Sequence, residues 1–140
     1  MVKVTDEGLF PSKRDKVWRL IQAHSTDVSN IHPSLKSRKP LRKEGNSDVV
    51  EDEWDMNGQR VKMILKVTAS PPDRLTLDFL EGPMTGKMVN SYSEVPGGTK
   101  VVTVCDMQSK FMDDKQLEGT IKQFLDGAFE DDLRYLNKMN

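Results

Sequence analysis

The sequence predicts an α+β fold, in which a curved antiparallel β-sheet of about seven strands wraps around a long C-terminal helix and two short helices follow the first strand. Three observations predict this fold class. Short segments that alternate apolar and polar residues, with turn residues between them, fill the middle of the chain. A long segment with helical spacing of its apolar residues follows them. Two shorter helical segments come before them, directly after an opening strand.

Length and composition favour a single domain over residues 1–140, because a chain of 140 residues can bury one continuous core but not two ordinary ones. The formal net charge of −1 argues against nucleic-acid binding through bulk positive charge. Cys105 is the only cysteine, which excludes an intramolecular disulfide. No segment has the apolar length of a signal core or a membrane span, so we expect a cytoplasmic protein without integral membrane association. The sequence carries no signal for an oligomeric state.

The first residues are predicted to form a strand and two short helices. A strand opens near Val2 and ends at Pro11, and Ser12 is the predicted N-cap of the first helix. Residues 25–27 can cap a second short helix that runs through Ile31.

The middle of the chain is predicted to be an antiparallel meander with short turns. Asn57-Gly58 joins two alternating segments, residues 49–56 and 59–68, and this dipeptide is a strong signal for a two-residue hairpin. The other predicted strands are residues 35–43, 75–79, 87–95 and 99–107. The basic residues of the segment 35–43 predict a solvated edge strand that its lysines protect from aggregation.

A helix is predicted from Lys115 to about Lys138, long enough at roughly 36 Å to cross a small sheet. Asp113 can cap its first turn. Gly119 and Gly127 weaken its helix propensity and have two interpretations. They are tolerated surface glycines, or they mark a close approach of the sheet or a gap beside a pocket.

Five segments of the chain carry a resemblance to one superfamily. They are Lys16-Val17-Trp18-Arg19-Leu20-Ile21, Ile31-His32-Pro33, Pro71-Pro72-Asp73-Arg74, Glu94-Val95-Pro96-Gly97-Gly98-Thr99-Lys100-Val101 and Phe129-Glu130-Asp131-Asp132-Leu133. In this order they resemble the START, birch-pollen-allergen and polyketide-cyclase superfamily, also called the helix-grip or SRPBCC fold. The resemblance implies a cavity between the concave sheet and the final helix that holds apolar molecules. It also implies several possible roles, because relatives include enzymes, carriers, sensors and a chaperone activator.

The alternation of the strands, together with this resemblance, predicts which side chains line the cavity. A filled core is the alternative, because such side chains must be buried in either case. The predicted lining residues are Trp54, Met56, Met63, Leu65, Leu77, Phe79, Glu81, Met88, Asn90 and Tyr92 on the sheet and Phe124, Ala128 and Phe129 on the helix.

Alternation places four polar side chains on the apolar face of their strands: Asp52, Glu81, Asn90 and Asp106. Burying an unpaired polar group is costly, so each of them needs an explanation. One interpretation is that such residues orient a ligand, with Glu81 or Asp52 also able to act as an acid or base. The other is that the strand ends are open to solvent and a bulge resets the strand phase. We favour the second interpretation for Asp52 and Asp106 and leave both open for Glu81 and Asn90.

The remaining reactive side chains give weak signals. His32 could carry a proton near the cavity mouth, although most isolated histidines do not. His24 and His32 lack the spacing of a metal-binding motif, so no metal site is expected. Cys105 lies in a valine-rich strand, where an inert buried thiol is the expected state.

These residues favour a binding protein that encloses a small or medium apolar molecule of lipid, polyketide or sterol type and needs no cofactor. Glu81, Asn90 or Tyr92 would orient the ligand. One alternative is an enzyme of the cyclase, dehydratase or hydrolase type that uses a cavity carboxylate such as Glu81, with Tyr92 or His32 assisting. The other is a protein-interaction module with a filled core. No catalytic residue is assigned.

Overall fold

The structure, a computed structural model, describes residues 1–140 and contains seven strands and three helices. In chain order they are β1 (Val2–Phe10), α1 (Arg14–Ala23), α2 (Val28–Ile31), β2 (Leu35–Glu44), β3 (Ser47–Met56), β4 (Gln59–Ser70), β5 (Arg74–Glu81), β6 (Thr85–Val95), β7 (Gly98–Gln108) and α3 (Asp114–Lys138). The predicted order of one strand, two short helices, six strands and one long helix is confirmed. No helix is both long enough and apolar enough to cross a membrane.

The seven strands form one antiparallel sheet in the order β1-β7-β6-β5-β4-β3-β2. Strands β2 to β7 follow each other as a meander, and β1 pairs with β7 at the far edge. The chain therefore leaves one edge of the sheet after β1 and enters the other edge at β2. Helices α1 and α2 make this connection, which places them beside α3 rather than within the sheet.

Turn chemistry fixes the register of the central hairpin between β3 and β4. Asn57 has φ 55° and Gly58 has φ 86°, which are the left-handed conformations that a type I′ turn requires. The predicted Asn-Gly hairpin is confirmed, and its strands pair without interruption from Met56 opposite Gln59 to Ser47 opposite Thr68.

The core consists of two clusters of buried side chains. The first lies between the sheet and the first half of α3, where Leu117 and Ile121 are each 1% exposed. The second lies between α1, β1 and the last turns of α3 and includes Val17, Leu20 and Leu136. Full burial of one such side chain contributes about 1.5 to 3 kcal/mol, so the two clusters anchor α3 near both of its ends.

Two helix starts differ in how they are capped. At α3 the Asp113 carboxylate accepts the backbone N–H of Gln116, and the Gln116 side chain accepts that of Asp113, so the predicted cap is present as a full capping box. The predicted Ser12 cap of α1 is wrong, because Lys13 occupies the N-cap position and no side chain caps it. The Ser12 carbonyl instead accepts a hydrogen bond from Thr99, which ties the turn after β1 to β7.

The second helix also lacks the predicted side-chain cap. Asp27 stands at its N-cap position but makes no capping hydrogen bond. Its carboxylate accepts hydrogen bonds from the Asn30 amide and the Tyr135 hydroxyl instead. Asp27 therefore connects α2 to α3 rather than stabilising the start of α2.

Two glycines should respond to alanine substitution in opposite ways. Gly86 has φ 139°, and an added Cβ would overlap the carbonyl oxygen of Asp106 on β7. We expect Gly86→Ala to lower the free energy of unfolding by about 2 kcal/mol or more. Gly119 is an exposed helix residue with no atom within 4 Å of an added Cβ, so Gly119→Ala should raise stability by about 0.5 to 1 kcal/mol. Urea denaturation measures both changes in stability. A Gly86→Ala variant with the same urea midpoint as the wild type would contradict the close β6–β7 contact.

Candidate functional site

A cavity of about 1120 Å³ lies between the concave face of the sheet, the second half of α3, and the α1–α2 segment. Helix α3 approaches the sheet most closely at β1, where a Cβ added to Gly8 would lie 2.6 Å from the Phe129 ring. The space opens over the strands farther from β1. Exposed residues of the lining, including Ser25, Arg42 and Lys43, mark its mouth.

Ten of the predicted lining residues face this cavity, and three do not. About half of all the lining residues are hydrophobic, and the wall presents more apolar than polar surface, as is usual for a site that binds apolar ligands. The ten are Trp54, Leu65, Leu77, Phe79, Met88, Asn90, Tyr92, Phe124, Ala128 and Phe129. The sequence prediction also missed part of the wall, because strand β1 near Gly8 and the helices α1 and α2 contribute residues that were not among the predicted lining.

Glu81 lies outside the cavity, which corrects its predicted place there. Leu65 pairs with Phe79, but the next residue of β4, Ile64, pairs with Glu81, so Leu80 is an extra residue in β5. This bulge shifts the phase by one residue and turns Glu81 to the face of Ile64, opposite to the face of Phe79. Glu81 is exposed and cannot supply a desolvated acid or base to the cavity.

Met56 and Met63 also lie outside the cavity. Met63 is 1% exposed and packs into the first core cluster, which the side chains of the first half of α3 fill. Met56 is half-buried at the end of β3 and packs against the same cluster. Both have the correct strand phase, but they sit toward the filled end of the concave face.

Two of the polar groups on the cavity wall have defined surroundings. The Asn90 carbonyl oxygen accepts a hydrogen bond of 2.6 Å from the Thr103 hydroxyl, which fixes the amide and leaves its NH₂ group to donate. Burial raises the pKa of Tyr92, the nearby Asp132 carboxylate adds to this effect, and Asn90 opposes it. The Tyr92 hydroxyl is therefore protonated at physiological pH and serves as a neutral hydrogen-bonding group.

Asp52 is buried and paired, so the favoured interpretation of a solvent-open strand is wrong for this residue. Its side chain is 0% exposed and accepts hydrogen bonds from Arg38 at 2.7 and 2.8 Å and from the Trp54 indole at 3.2 Å. Strand β2 is an edge strand as predicted, but Arg38 is not one of its solvated cations. It turns inward, and the pair holds Trp54 in the cavity wall. Asp106 is half-buried and lies outside the cavity.

The Cys105 thiol is buried and fully shielded, with 0% exposure. Burial raises its pKa to about 11, and the carboxylates of Asp6 and Asp106 act in the same direction. A thiol in this state is almost entirely protonated at neutral pH, so Cys105 is a packing residue rather than a nucleophile.

His24, His32 and Asp132 form a compact cluster on the cavity wall. The Nε2 atoms of the two histidines are 3.1 Å apart. The Asp132 Oδ1 atom lies 3.2 Å from Nε2 of His24 and 3.3 Å from Nε2 of His32. The histidines are thus neighbours in space, contrary to the separation that their sequence spacing suggests.

A second set of hydrogen bonds orients both imidazole rings. Nδ1 of His24 donates to the backbone carbonyl of Leu20 at 2.8 Å. Nδ1 of His32 donates to the Asp131 carboxylate at 3.1 Å. Because each Nδ1 carries a proton, the neutral form of each ring presents the lone pair of its Nε2 to the centre of the cluster.

The cluster shifts the pKa values of its buried members. Burial lowers the pKa of His32, but hydrogen bonds and charge from Asp132 and Asp131 outweigh it and raise the pKa above its usual value. Burial alone would raise the pKa of Asp132, but His24 and His32 outweigh it and hold the pKa below its usual value. Both shifts show that the centre of the cluster favours positive charge beside the Asp132 carboxylate.

Comparison with known proteins gives matches only at the level of structure. No protein-family model matches the sequence, and no curated protein matches it. The Zhui aromatase/cyclase from Streptomyces sp. R1128 is 14% identical and superposes with a TM-score of 0.84 over 97% of this chain and 93% of that chain. A START superfamily protein from Mycobacterium smegmatis is 12% identical, with a TM-score of 0.82 over 99% of both chains. The major latex-like protein 151 from Panax ginseng is 18% identical, with a TM-score of 0.72 over 95% of both chains.

These similarities establish the fold. The chain has the helix-grip fold of the START, birch-pollen-allergen and polyketide-cyclase superfamily, and the resemblance found in its sequence is confirmed at that level. The architecture is the one that the resemblance implies, with a seven-stranded sheet curved around the C-terminal helix.

Removing Arg38 should destabilise the protein more than removing the whole ion pair. In Arg38→Met the Asp52 carboxylate stays buried without its charge partner, and we expect the free energy of unfolding to fall by about 3 kcal/mol. The double variant Arg38→Met/Asp52→Asn has no buried charge and keeps an acceptor for Trp54, so it should recover part of this loss. Urea denaturation of both variants and of Asp52→Asn gives the coupling free energy between Arg38 and Asp52. Strictly additive losses would contradict a coupled, buried pair.

Proposed function

We propose that this protein binds a small or medium apolar molecule, of lipid, polyketide or sterol type, in the cavity between the sheet and α3. The observation that carries the proposal is the cavity itself, about 1120 Å³ in volume with a wall whose surface is more apolar than polar. Ligand sites for drug-sized molecules occupy about 300 to 1,000 Å³, so this space suits a ligand of that size or larger.

Burial of apolar surface supplies the binding energy in this proposal. A ligand that buries about 300 Å² of apolar surface gains roughly 7.5 kcal/mol, from which the entropic costs of association are subtracted. The cavity spans the two core clusters, with Trp54, Phe79 and Met88 from the first and Phe10 and Tyr92 from the second. A flexible methionine among rigid rings allows the wall to adapt to the shape of a ligand.

Polar groups on the wall would orient the ligand. Asn90 offers its NH₂ group, because Thr103 already occupies its carbonyl oxygen. Tyr92 offers a neutral hydroxyl from a side chain that is 6% exposed. Both lie on β6 two residues apart, so a carbonyl or hydroxyl group of the ligand could contact both at once.

The two alternative functions receive less support. An enzyme that uses Glu81 as its cavity acid has no basis, because Glu81 lies on the other side of the bulge in β5. An interaction module with a filled core is disfavoured by a cavity of this size. The fold is shared with a protein named as an aromatase/cyclase, which supports polycyclic aromatic molecules as the first ligands to test.

Filling the cavity should abolish ligand binding without unfolding the protein. Ala128 faces the cavity from α3, and Ala128→Trp places an indole in open space. We expect the affinity for anilinonaphthalene sulfonate, measured by fluorescence titration, to fall at least about tenfold while the free energy of unfolding changes by less than about 1 kcal/mol.

The matched control is Leu80→Trp, which adds the same indole at an exposed bulge residue outside the cavity. It should leave probe affinity unchanged. The filled-core interpretation makes the opposite prediction, in which the wild type does not bind the probe and Ala128→Trp loses about 1 to 3 kcal/mol through overpacking.

A further inference from the structure

We propose that His24, His32 and Asp132 bind a divalent transition-metal ion of the zinc class at the cavity wall. The proposal rests on the triangle formed by two imidazole nitrogens and one carboxylate oxygen, whose sides are 3.1, 3.2 and 3.3 Å. It does not depend on which molecule, if any, occupies the cavity.

The size of this triangle matches three ligands of a tetrahedral ion. Zinc binds imidazole nitrogen at about 2.0 to 2.1 Å and carboxylate oxygen at about 2.0 to 2.2 Å, so two ligands at the tetrahedral angle lie about 3.3 Å apart. An ion placed slightly out of the plane of the three donor atoms would reach all three without movement of the backbone.

The hydrogen atoms around the cluster also favour a cation at its centre. Leu20 and Asp131 hold the Nδ1 protons of the two histidines, so the neutral rings direct two Nε2 lone pairs at each other. The Asp132 carboxylate adds a third electron-rich atom. Three acceptors facing one another repel unless a proton or a metal ion lies among them.

Asp131 completes the outer contacts that metal-binding histidines typically have. Metal-bound imidazoles usually donate their other N–H group to a carboxylate or a backbone carbonyl, which fixes the tautomer and the ring orientation. His32 donates to Asp131, and His24 donates to the Leu20 carbonyl. Asp132 supplies one negative charge to a divalent ion, while the Asp131 carboxylate is shared between His32 and the Arg134 guanidinium.

The donor set selects the class of metal. Calcium and magnesium prefer six or more oxygen ligands, and this cluster offers two nitrogens and one oxygen. Imidazole suits zinc, copper, iron and nickel, and zinc accepts the tetrahedral arrangement most readily.

Three protein ligands leave a fourth position for water or for a ligand atom. All three residues line the cavity, so an oxygen or nitrogen atom of a bound molecule could occupy that position. This last step rests on the proposed function, since it requires a molecule in the cavity. It would add a polar anchor opposite the apolar wall.

Zinc titration of the chelator-treated full-length chain tests the site. Isothermal titration calorimetry should give one Zn²⁺ per chain, and Asp132→Asn should weaken the affinity more than about 100-fold. Asp131→Asn, which removes only an outer contact, should weaken it about 10- to 100-fold. Glu130→Gln is the matched control, an exposed carboxylate on the same helix outside the cluster, and should leave zinc affinity unchanged.

Histidine NMR gives a readout that does not depend on the folding of any variant. The chain has only two histidines, so long-range ¹H–¹⁵N spectra of the wild type contain two imidazole systems. Both should show protonated Nδ1 and, on addition of Zn²⁺, shifted Nε2 resonances. Cobalt(II) in the same site should give the intense visible absorption of tetrahedral coordination.

Two results would overturn the metal site. A stripped protein that takes up no Zn²⁺, with Nε2 resonances that do not respond, means that the cluster holds protons only. Zinc affinity that Asp132→Asn leaves within about threefold of wild type places the ion elsewhere on the chain. Probe binding to metal-free protein is measured separately, so failure here and failure of the cavity proposal are distinguishable.

Discussion

A single helix cannot fill the concave face of a seven-stranded sheet, and the cavity is the result. Seven strands span about 29 Å, whereas a helix with its side chains is about 10 Å wide. Helix α3 is anchored by Leu117 and Ile121 near its start and by Leu136 near its end. Between these anchors it packs against β1 at Gly8 and contacts Trp54 of β3 through the Phe124 ring, and part of the sheet beside it stays uncovered and forms the cavity.

The rim of this open space is secured by polar contacts rather than by further core. Asp52 is buried against Arg38 and fixes Trp54. The histidine and aspartate cluster joins the ends of α1 and α2 to α3 across the opposite wall. Burial of these groups would be costly without their partners, so the polar contacts and the apolar cavity specify one arrangement together. A cation in the cluster would strengthen the same connection and add a chemical function to it.

The sequence predicts local structure well and long-range contacts poorly, for physical reasons. Strand alternation and the Asn57-Gly58 turn depend on neighbouring residues, and both were found from the sequence. Glu81 was misplaced because one inserted residue, Leu80, reverses the phase of the last residue of β5. Asp132 lies 108 residues from His24, so only the folded chain brings them together. The adjacent acids Asp131 and Asp132 were visible in the sequence, but their partners were not.

A methyl NMR titration would decide whether the concave face holds a ligand site or a closed core. Of the eight methionines, only Met88 faces the cavity, while Met63, Met84 and Met107 are at most 2% exposed in the adjoining core. With ¹³C-methyl-labelled methionine, saturating anilinonaphthalene sulfonate should shift the Met88 resonance strongly and those three little. A shift of Met112, next to the exposed Phe111, with Met88 unmoved would mean that the probe binds the outer surface and that the cavity is not a binding site.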